Sequence, residues 1–232
     1  MPTSLDLLHN MSSSNILDVA TGRGDFLLFL QQNLAHFGAG TGIDIKSIEA
    51  WKSENFKGLP IQFTQMDAGC LNFSDGEFDL VSISNSLHHL PDPQHSISEM
   101  VRVLQSGGNF ILREMFSDGL TPEQQTHDLL HRWWGKIDTQ SGVIHNPPYT
   151  RSELIALLEQ SGITQWNYFN EKDLSGDPLD PEMVKELDEI IDTYQKKTTD
   201  SKLLEEGDRL RERVHLIGFQ SATQLFAIGV KK

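Results

Sequence analysis

Residues 16–25 combine a carboxylate with two glycines at the point where a strand-like apolar run ends. Their sequence is Ile-Leu-Asp-Val-Ala-Thr-Gly-Arg-Gly-Asp, and a helix-like segment follows over residues 26–37. Gly22 and Gly24 allow the backbone to approach a ligand closely, because no Cβ stands in the way. A strand, a glycine turn and a helix in this order predict a nucleotide-type ligand at the turn.

The residues around this turn distinguish between two kinds of ligand. A dinucleotide site needs a third glycine three residues after the second, and this chain has Leu27 there. Asp25 opens the predicted helix with a negative charge that would repel a pyrophosphate. A nucleoside that carries a positive centre and no phosphate suits these residues better. S-adenosylmethionine is such a ligand, since it has a sulfonium and an ammonium group.

Two more carboxylates follow at the ends of strand-like runs. Asp44 ends the second run, where a carboxylate can accept hydrogen bonds from both ribose hydroxyls. Asp67 ends the third run, where a carboxylate can accept a hydrogen bond from an adenine amino group. Together with Asp18 they could also be loop carboxylates that only bond local backbone. Their placement at strand ends of an open α/β sheet favours the cofactor-binding interpretation.

These motifs, in this order, resemble those of the class I S-adenosylmethionine-dependent methyltransferases. Residues 18–24 resemble motif I, and the later motifs are matched by Asp44 and by residues 66–68, 78–90 and 102–114. The similarity is closest to the small-molecule branch that includes the ubiquinone/menaquinone-type methyltransferases, although the acceptor-side residues do not single out a quinone precursor. Ala20 departs from the family, which usually has glycine there, and its methyl group should crowd the methionine part of the cofactor.

The resemblance covers roughly residues 12–116 and implies both a fold and a set of binding residues. The implied fold is α/β: a Rossmann-like open sheet of seven strands, mostly parallel with an antiparallel last strand, with helices on both faces. The predicted cofactor-binding residues are Asp18, Ala20, Gly22, Gly24, Asp44, Ile45, Met66, Asp67, Ala68, Ser84, Asn85 and His89.

Candidate acid–base groups for the methyl acceptor follow the fourth and fifth strands. Glu114 ends the fifth strand, His127 and His131 share one helix face at i and i+4, and His145 lies in the next loop. We predict that these four residues are catalytic and remove or orient a proton on the acceptor. Their spacing alone would also suit a divalent metal or purely structural histidines; the prediction includes no metal.

The tetrapeptide Asn-Pro-Pro-Tyr at residues 146–149 resembles a motif of DNA and protein amide methyltransferases. In those enzymes it follows the fourth strand, whereas here it falls after the fifth, just before a capped helix at Thr150. We interpret it as a stiff linker, with Tyr149 lining the acceptor pocket.

The candidate site residues are expected to be positioned by short strands and helices, because short apolar runs alternate with helical patterns along the chain. The strand-like runs are residues 15–20, 40–45, 61–68, 78–84, 109–115, 164–169 and 222–230, and helix-like segments are expected between the first five. Capping signals begin helices after Asp92, Thr121 and Thr150, and Gly107-Gly108 is expected to end a helix. Residues 180–216 carry one apolar stripe and predict a helical insertion before the last strand.

Composition limits the classes of function. The chain has 232 residues, a formal net charge of −14 and one cysteine, Cys70, which we expect to be packed. The acidity argues against nucleic-acid and anionic-membrane partners, and a single cysteine excludes an internal disulfide. Without a recognisable signal peptide or long apolar stretch, a soluble cytoplasmic protein is expected.

We therefore predict an enzyme that transfers a methyl group from S-adenosylmethionine to a small-molecule acceptor. Residues 1–232 are expected to form a single methyltransferase domain, with residues 117–150 on the acceptor side and the insertion acting as a lid or as a homodimer surface. The alternatives are a methyltransferase acting on protein or nucleic acid, or a non-catalytic S-adenosylmethionine-binding module.

Overall fold

The computed structural model describes residues 2–232, which form two compact units. Unit 1 consists of residues 2–114, Ile155–Phe169 and Leu225–Lys232. Unit 2 consists of Met115–Leu154 and Asn170–Gln224. No helix among the described residues is both long enough and apolar enough to cross a membrane.

The seven strands form one sheet with the order β3-β2-β1-β4-β5-β7-β6. Strands β1 to β5 pair in parallel, and β7 is antiparallel. The predicted fold class is therefore confirmed. The strands are β1 (Ser12–Val19), β2 (His36–Asp44), β3 (Ile61–Gln65), β4 (Phe78–Ser84), β5 (Leu104–Met115), β6 (Ile163–Glu171) and β7 (Gln224–Lys231).

Within residues 2–232, one short α-helix precedes the first strand and six α-helices connect strands. They are α1 (Ser4–Leu8), α2 (Asp25–Asn33), α3 (Pro93–Val103), α4 (Pro122–Gln140), α5 (Arg151–Glu159), α6 (Pro181–Gln195) and α7 (Ser201–Ile217). The predicted caps are present: Asp92 caps α3, Thr121 forms a capping box with Gln124, and Thr150 forms one with Glu153.

The strand order places β1, and with it the glycine turn at residues 20–24, between β2 and β4 in the middle of the sheet. Asp18 on β1 lies opposite Gly42 of β2 and Ser82 of β4. The carboxyl ends of these strands therefore meet at one edge, where ligands bind in open α/β sheets.

Both faces of the sheet are covered in unit 1. On one face Ile16 and Leu80 pack with α2 in a cluster that includes Phe226. Their neighbours Leu17 and Val81 are also fully buried, and because successive strand side chains alternate they must be covered on the opposite face.

Unit 2 has its own core, which is built from α4, α6 and α7. Trp133 on α4 is fully buried there, and its indole Nε1 donates to Leu203 O at 2.8 Å. The other buried members of this cluster are Leu130, Ile137, Leu187, Ile191, Leu203, Leu210 and Val214. The insertion therefore consists of two helices that share one core with α4.

Several predicted boundaries were wrong. Helix α2 ends at Asn33 because β2 begins at His36. Only short 3₁₀ turns (Glu49–Lys52 and Glu54–Phe56) link β2 to β3, since Gly58 and Pro60 break a longer helix, and no helix links β3 to β4. Strand β3 ends at Gln65, so Asp67 lies two residues beyond it.

The fifth strand also begins earlier than predicted. It starts at Leu104, so the predicted turn at Gly107-Gly108 lies inside β5, in an irregular stretch where the pairing with β4 shifts register. Gly107 has a φ of 80° there, which explains why glycine occupies a position within the strand.

Candidate functional site: a nucleoside-binding edge in unit 1

The turn after β1 is built from left-handed backbone conformations. Ala20, Gly22 and Gly24 have φ values of 51°, 53° and 87°. A Cβ at Gly24 would lie 2.7 Å from the Phe56 ring and 2.9 Å from the Phe63 ring, so only glycine fits. A Cβ at Gly22 would meet no atom within 4 Å, so the space beside this backbone is open.

Asp18 is a buried carboxylate at the end of β1, with only 1% of its surface exposed. Its oxygens accept hydrogen bonds from Thr21 Oγ1 at 2.6 Å and from Ser82 Oγ at 2.7 Å. Burial is the main cause that raises its pKa to about 6; the Asp44 charge acts in the same direction, and the hydrogen bonds from Thr21 and Ser82 act against it. Among residues 2–232, no cationic side chain forms an ion pair with Asp18. A positively charged ligand would therefore stabilise its ionised form.

Asp44 closes β2 and is tied to the glycine turn. Its Oδ2 accepts from Gly22 N at 3.0 Å and its Oδ1 accepts from Lys46 N at 3.2 Å. Ile45, which follows it, is 57% exposed although it is apolar. An exposed apolar side chain beside a carboxylate suits a ligand that carries both hydroxyls and an aromatic base.

Trp51 was not predicted, yet it lies against the glycine turn. Its Nε1 donates to Gly22 O at 2.8 Å, and its ring stacks on Phe63 with centroids 5.1 Å apart. Phe56 meets Phe63 edge-on. These aromatic residues come from the irregular β2–β3 segment, so no periodic pattern in the sequence could have revealed them.

The segment after β3 carries Met66, Asp67 and Ala68. Met66 N donates to Asp44 O at 2.9 Å, which holds this segment next to the end of β2. Asp67 is exposed, and its Oδ1 accepts from Gly69 N at 2.8 Å. Ala68 is buried. Cys70 is exposed, so the expectation that it is packed was wrong.

The segment after β4 is connected to the glycine turn through Ser86. Ser86 Oγ donates to Ala20 O at 3.1 Å. Ser84 is the last residue of β4, and the exposed Asn85 that follows has a φ of 47°. His89 is exposed, and its ring lies 4.2 Å from that of His88.

Glu114 lies in a buried pair with His88. Its Oε1 is 3.1 Å from His88 Nδ1, and its Oε2 accepts from Leu87 N at 2.9 Å. Both side chains are almost completely buried. The structure thus gives Glu114 the role of holding the segment after β4, and its predicted part in catalysis stays a prediction.

The other three predicted catalytic residues lie in unit 2. His131 and His145 contact each other, with His145 Nε2 at 3.3 Å from His131 Nδ1. His127 lies on the same helix face, its ring 6.2 Å from that of His131, but its Nδ1 accepts from Ala222 N at 2.9 Å. His131 and His145 are therefore brought together, while His127 holds the chain just before β7.

Asp138 was missed by the sequence analysis and completes this group. Its Oδ2 is 2.9 Å from His145 Nδ1 and accepts from Tyr194 OH at 3.2 Å. Burial, together with the charge of Asp138, raises the pKa of Tyr194 to about 12. No sequence spacing links Asp138 to His145, because the intervening chain leaves the helix and turns back.

The predicted linker at residues 146–149 is irregular chain, as expected. Ser117 N and Ser117 Oγ donate to Tyr149 O at 2.9 and 3.1 Å, which fixes the linker before α5.

The residues of the unit 1 edge fit S-adenosylmethionine. Asp18 offers a buried negative charge, the open space at Gly22 leaves room for the cofactor, and Asp44 offers carboxylate oxygens for ribose hydroxyls.

Comparisons with known proteins agree with this geometry. Residues 17–112 match a family model described as a methyltransferase domain. A demethylmenaquinone methyltransferase of Thermus thermophilus is 33% identical over 114 residues, which cover 48% of this chain and 51% of that protein. The matched chain spans about half the length of such curated relatives.

Solved structures show the same fold. The YcgJ protein of Bacillus subtilis has a TM-score of 0.62 at 15% identity, over 98% of this chain and 96% of that chain. Phosphoethanolamine N-methyltransferase 2 of Haemonchus contortus, in complex with S-adenosyl-L-methionine, has a TM-score of 0.57 at 16% identity, over 95% of this chain and 49% of that chain.

The domain match falls on the strands and turns that carry Asp18, the glycine turn and Asp44. Residues 17–112 are thus similar to a methyltransferase domain.

Proposed function

We propose that this protein transfers a methyl group from S-adenosylmethionine to a small-molecule acceptor. The observation that carries the proposal is the buried Asp18 carboxylate, which lacks a cationic partner among residues 2–232 and lies beside an open glycine turn. When bound, S-adenosylmethionine supplies an activated methyl group on its sulfonium. The protein's part is to hold that cofactor and to position the acceptor.

Each cofactor-facing residue has a chemical role in this proposal. The backbone at Gly22 and Gly24 gives the cofactor close access, Asp18 balances its positive charge, and Asp44 accepts from the ribose hydroxyls. Asp67 accepts from the adenine amino group, with Ile45 covering the base. Met66, Ala68, Ser84, Asn85 and His89 line the remaining walls, as the resemblance implies.

The acceptor is proposed to be a small molecule, handled by His131 and His145. Named relatives act on quinone precursors, but their match extends over only about half of each chain. We therefore propose the class of acceptor without naming a quinone. Residues 117–150 would form the acceptor side, and the insertion at residues 180–216 would act as a lid or as a homodimer surface in a cytoplasmic enzyme.

Calorimetric titration of Asp44→Ala with S-adenosylmethionine tests the cofactor site. Because a charged hydrogen bond is lost, binding should weaken by about 1.5–3 kcal/mol. A melting curve of the unliganded variant controls for misfolding. An affinity equal to that of the unaltered protein would contradict the role of Asp44.

A further inference from the structure

Unit 2 contains a cavity of about 430 Å³ whose chemistry differs from that of the chain as a whole. Although the protein has a net charge of −14, no carboxylate from the described part of the chain, residues 2–232, lines this cavity. Its lining residues are His131, Arg132, Gly135, Lys136 and Thr139 of α4 and His145, Asn146 and Pro147 of the following loop. The cavity therefore combines a mostly apolar surface with two cations and several hydrogen-bond donors, which suits an occupant with an apolar body and one anionic group.

Gly135 allows the loop to close one side of this cavity. A Cβ at Gly135 would lie 3.1 Å from His145 O and 3.3 Å from the His145 ring. A larger residue would thus push His145 away from the helix, and the glycine keeps this histidine on the cavity wall.

The Asp138 carboxylate orients His145, which in turn contacts His131. Asp138 Oδ2 lies 2.9 Å from His145 Nδ1, and His145 Nε2 lies within 3.4 Å of both ring nitrogens of His131. His145 thus turns one nitrogen to the carboxylate and the other to the second imidazole. A carboxylate that orients and charges a histidine in this way strengthens it as a proton acceptor.

Asp138 also contacts polar groups of α6 and of the residues that follow it. Tyr194 OH donates to Asp138 Oδ2, and Lys197 Nζ lies 3.7 Å from Asp138 Oδ1 and 3.7 Å from the centre of the Tyr194 ring. Asp138 is therefore held in place by neighbours that do not line the cavity.

The two cations of the lining keep donors for a ligand. Arg132 Nε bonds Asp128 Oδ2 at 2.9 Å, and within residues 2–232 its terminal Nη atoms form no hydrogen bond. Lys136 Nζ contacts Glu206 at 2.7 Å, but half of its side chain is exposed. Guanidinium and ammonium groups so placed can hold an oxyanion.

We propose that this cavity binds small molecules with an acidic hydroxyl, a phenol or a carboxylic acid, and holds them as oxyanions. The O–H bond of a phenol breaks heterolytically, its electron pair stays on the oxygen, and the proton passes to the His131–His145 pair. Arg132 and Lys136 then hold the oxyanion, and Asp138 is the positioning residue behind the pair. That this occupant is the methyl acceptor rests on the proposed function; an oxyanion is the nucleophilic form of such an acceptor.

Binding of benzoate and 4-nitrophenol to the full chain without cofactor tests the proposal. Benzamide and nitrobenzene serve as neutral counterparts. The two acids should bind saturably and more tightly than the neutral compounds, and the absorbance of bound 4-nitrophenol should show ionisation at a lower pH than in solution. Absence of saturable binding for both acids, or equal binding of the neutral compounds, would overturn the proposal.

Variants separate the cavity from a general charge effect. Arg132→Gln and Lys136→Gln should each weaken benzoate binding about tenfold, the effect of a lost charge-assisted hydrogen bond. Lys185→Gln makes the same charge change on α6 at an exposed position outside the cavity and should leave the affinity unchanged. An equal loss in Lys185→Gln would show that only net charge matters and would contradict the assigned site.

The role of Asp138 has its own spectroscopic readout. In Asp138→Asn the bound 4-nitrophenol should ionise at a higher pH, while Asp138→Glu should restore part of the shift. Unchanged ionisation in Asp138→Asn would contradict the positioning role. Because these measurements omit the cofactor, they stand even if methyl transfer fails, and loss of cofactor binding in Asp44→Ala leaves them unaffected.

Discussion

Ala20 lies in the ligand-facing turn after β1 and has a φ of 51°, a backbone conformation that favours glycine. The left-handed region costs a residue with a Cβ about 1–2 kcal/mol. The family resemblance already marked this position as unusual, but for a different reason, the bulk of the methyl group. The structure adds that the backbone itself is strained there.

Ala20→Gly should therefore stabilise the protein. We expect the free energy of unfolding to rise by about 0.5–1 kcal/mol, after the greater entropy of glycine in the unfolded chain is subtracted. Ala156→Gly, at an exposed position within α5, is the matched control and should lower it by about 1 kcal/mol. Urea unfolding of both variants measures the difference, and equal losses would show that Ala20 is not strained.

We expect Asp18 to make both the stability of the protein and cofactor binding depend on pH. Burial raises its pKa from 3.8 to about 6, so the folded protein holds the proton more tightly than the unfolded chain does. The free energy of unfolding without ligand should consequently fall as pH rises from about 4 to about 6, and stay low above that range.

The affinity for S-adenosylmethionine should change in the opposite sense. Since the ionised Asp18 attracts the cation, affinity should rise about tenfold between pH 5 and 7, as the ionised fraction increases. Calorimetry across this range checks the profile. Asp18→Asn, with its fold verified by a melting curve, should bind weakly and lose the pH dependence; a profile that persists in this variant would assign the titration to another group.

At the scale of elements, Gly207 lets α7 approach α4 closely. A Cβ at this position would lie 2.6 Å from Trp133 Cζ2 and 2.9 Å from Gln195 Nε2. Trp133 is fully buried and fixed through its bond to Leu203 O, so it has little freedom to move. Helix α7 therefore packs against α4 with no room for a side chain at residue 207.

Gly207→Ala should destabilise the protein although alanine is the better helix former. Overpacking costs about 1–3 kcal/mol, against a gain in helix propensity of about 1 kcal/mol. Gly176→Ala provides the control, because its Cβ would meet no atom within 4 Å. Denaturant unfolding measures the free energy of unfolding of both variants. A value for Gly207→Ala equal to or above that of Gly176→Ala would contradict the close contact.

The elements that sequence reasoning located were those with a local chemical signal. The glycine turn at Gly22, the cap at Asp92 and the capping box at Thr121 each depend on residues near in sequence, and all were placed correctly. Strand β5 was predicted too short because its glycines were interpreted as a turn, whereas they lie in an irregular part of the strand.

The site residues that were missed depend on contacts distant in sequence. Ser82 reaches Asp18 only because β4 pairs with β1, and Trp51 reaches Gly22 only because the β2–β3 segment folds back. Tyr194 reaches Asp138 through the packing of α6. Such contacts follow from the tertiary arrangement and leave no periodic trace in the chain.

At the scale of the whole molecule, the net charge of −14 bears on the class of partner. Binding to nucleic acid without sequence preference depends on Lys and Arg replacing the counterions of the phosphates. Two cations, Arg132 and Lys136, line a cavity with a size suited to a small molecule. Both observations favour a small acceptor over a macromolecule.

The protein should consequently show no affinity for RNA or DNA at physiological salt. Fluorescence anisotropy with labelled oligonucleotides at low and at physiological salt measures this directly. Saturable binding with a steep salt dependence would instead support a nucleic-acid methyltransferase and remove the small-molecule proposal.

The position of Trp51 gives the glycine turn an optical signal of its own. The indole bonds Gly22 O and lies nearly parallel to Phe63, at an interplanar angle of 7°. Indole fluorescence is sensitive to both hydrogen bonding and stacking. A ligand that binds beside Gly22 should therefore change the fluorescence of Trp51. Trp133, Trp134 and Trp166 contribute a background that Trp51→Phe isolates, and the turn can be followed in real time without an attached dye.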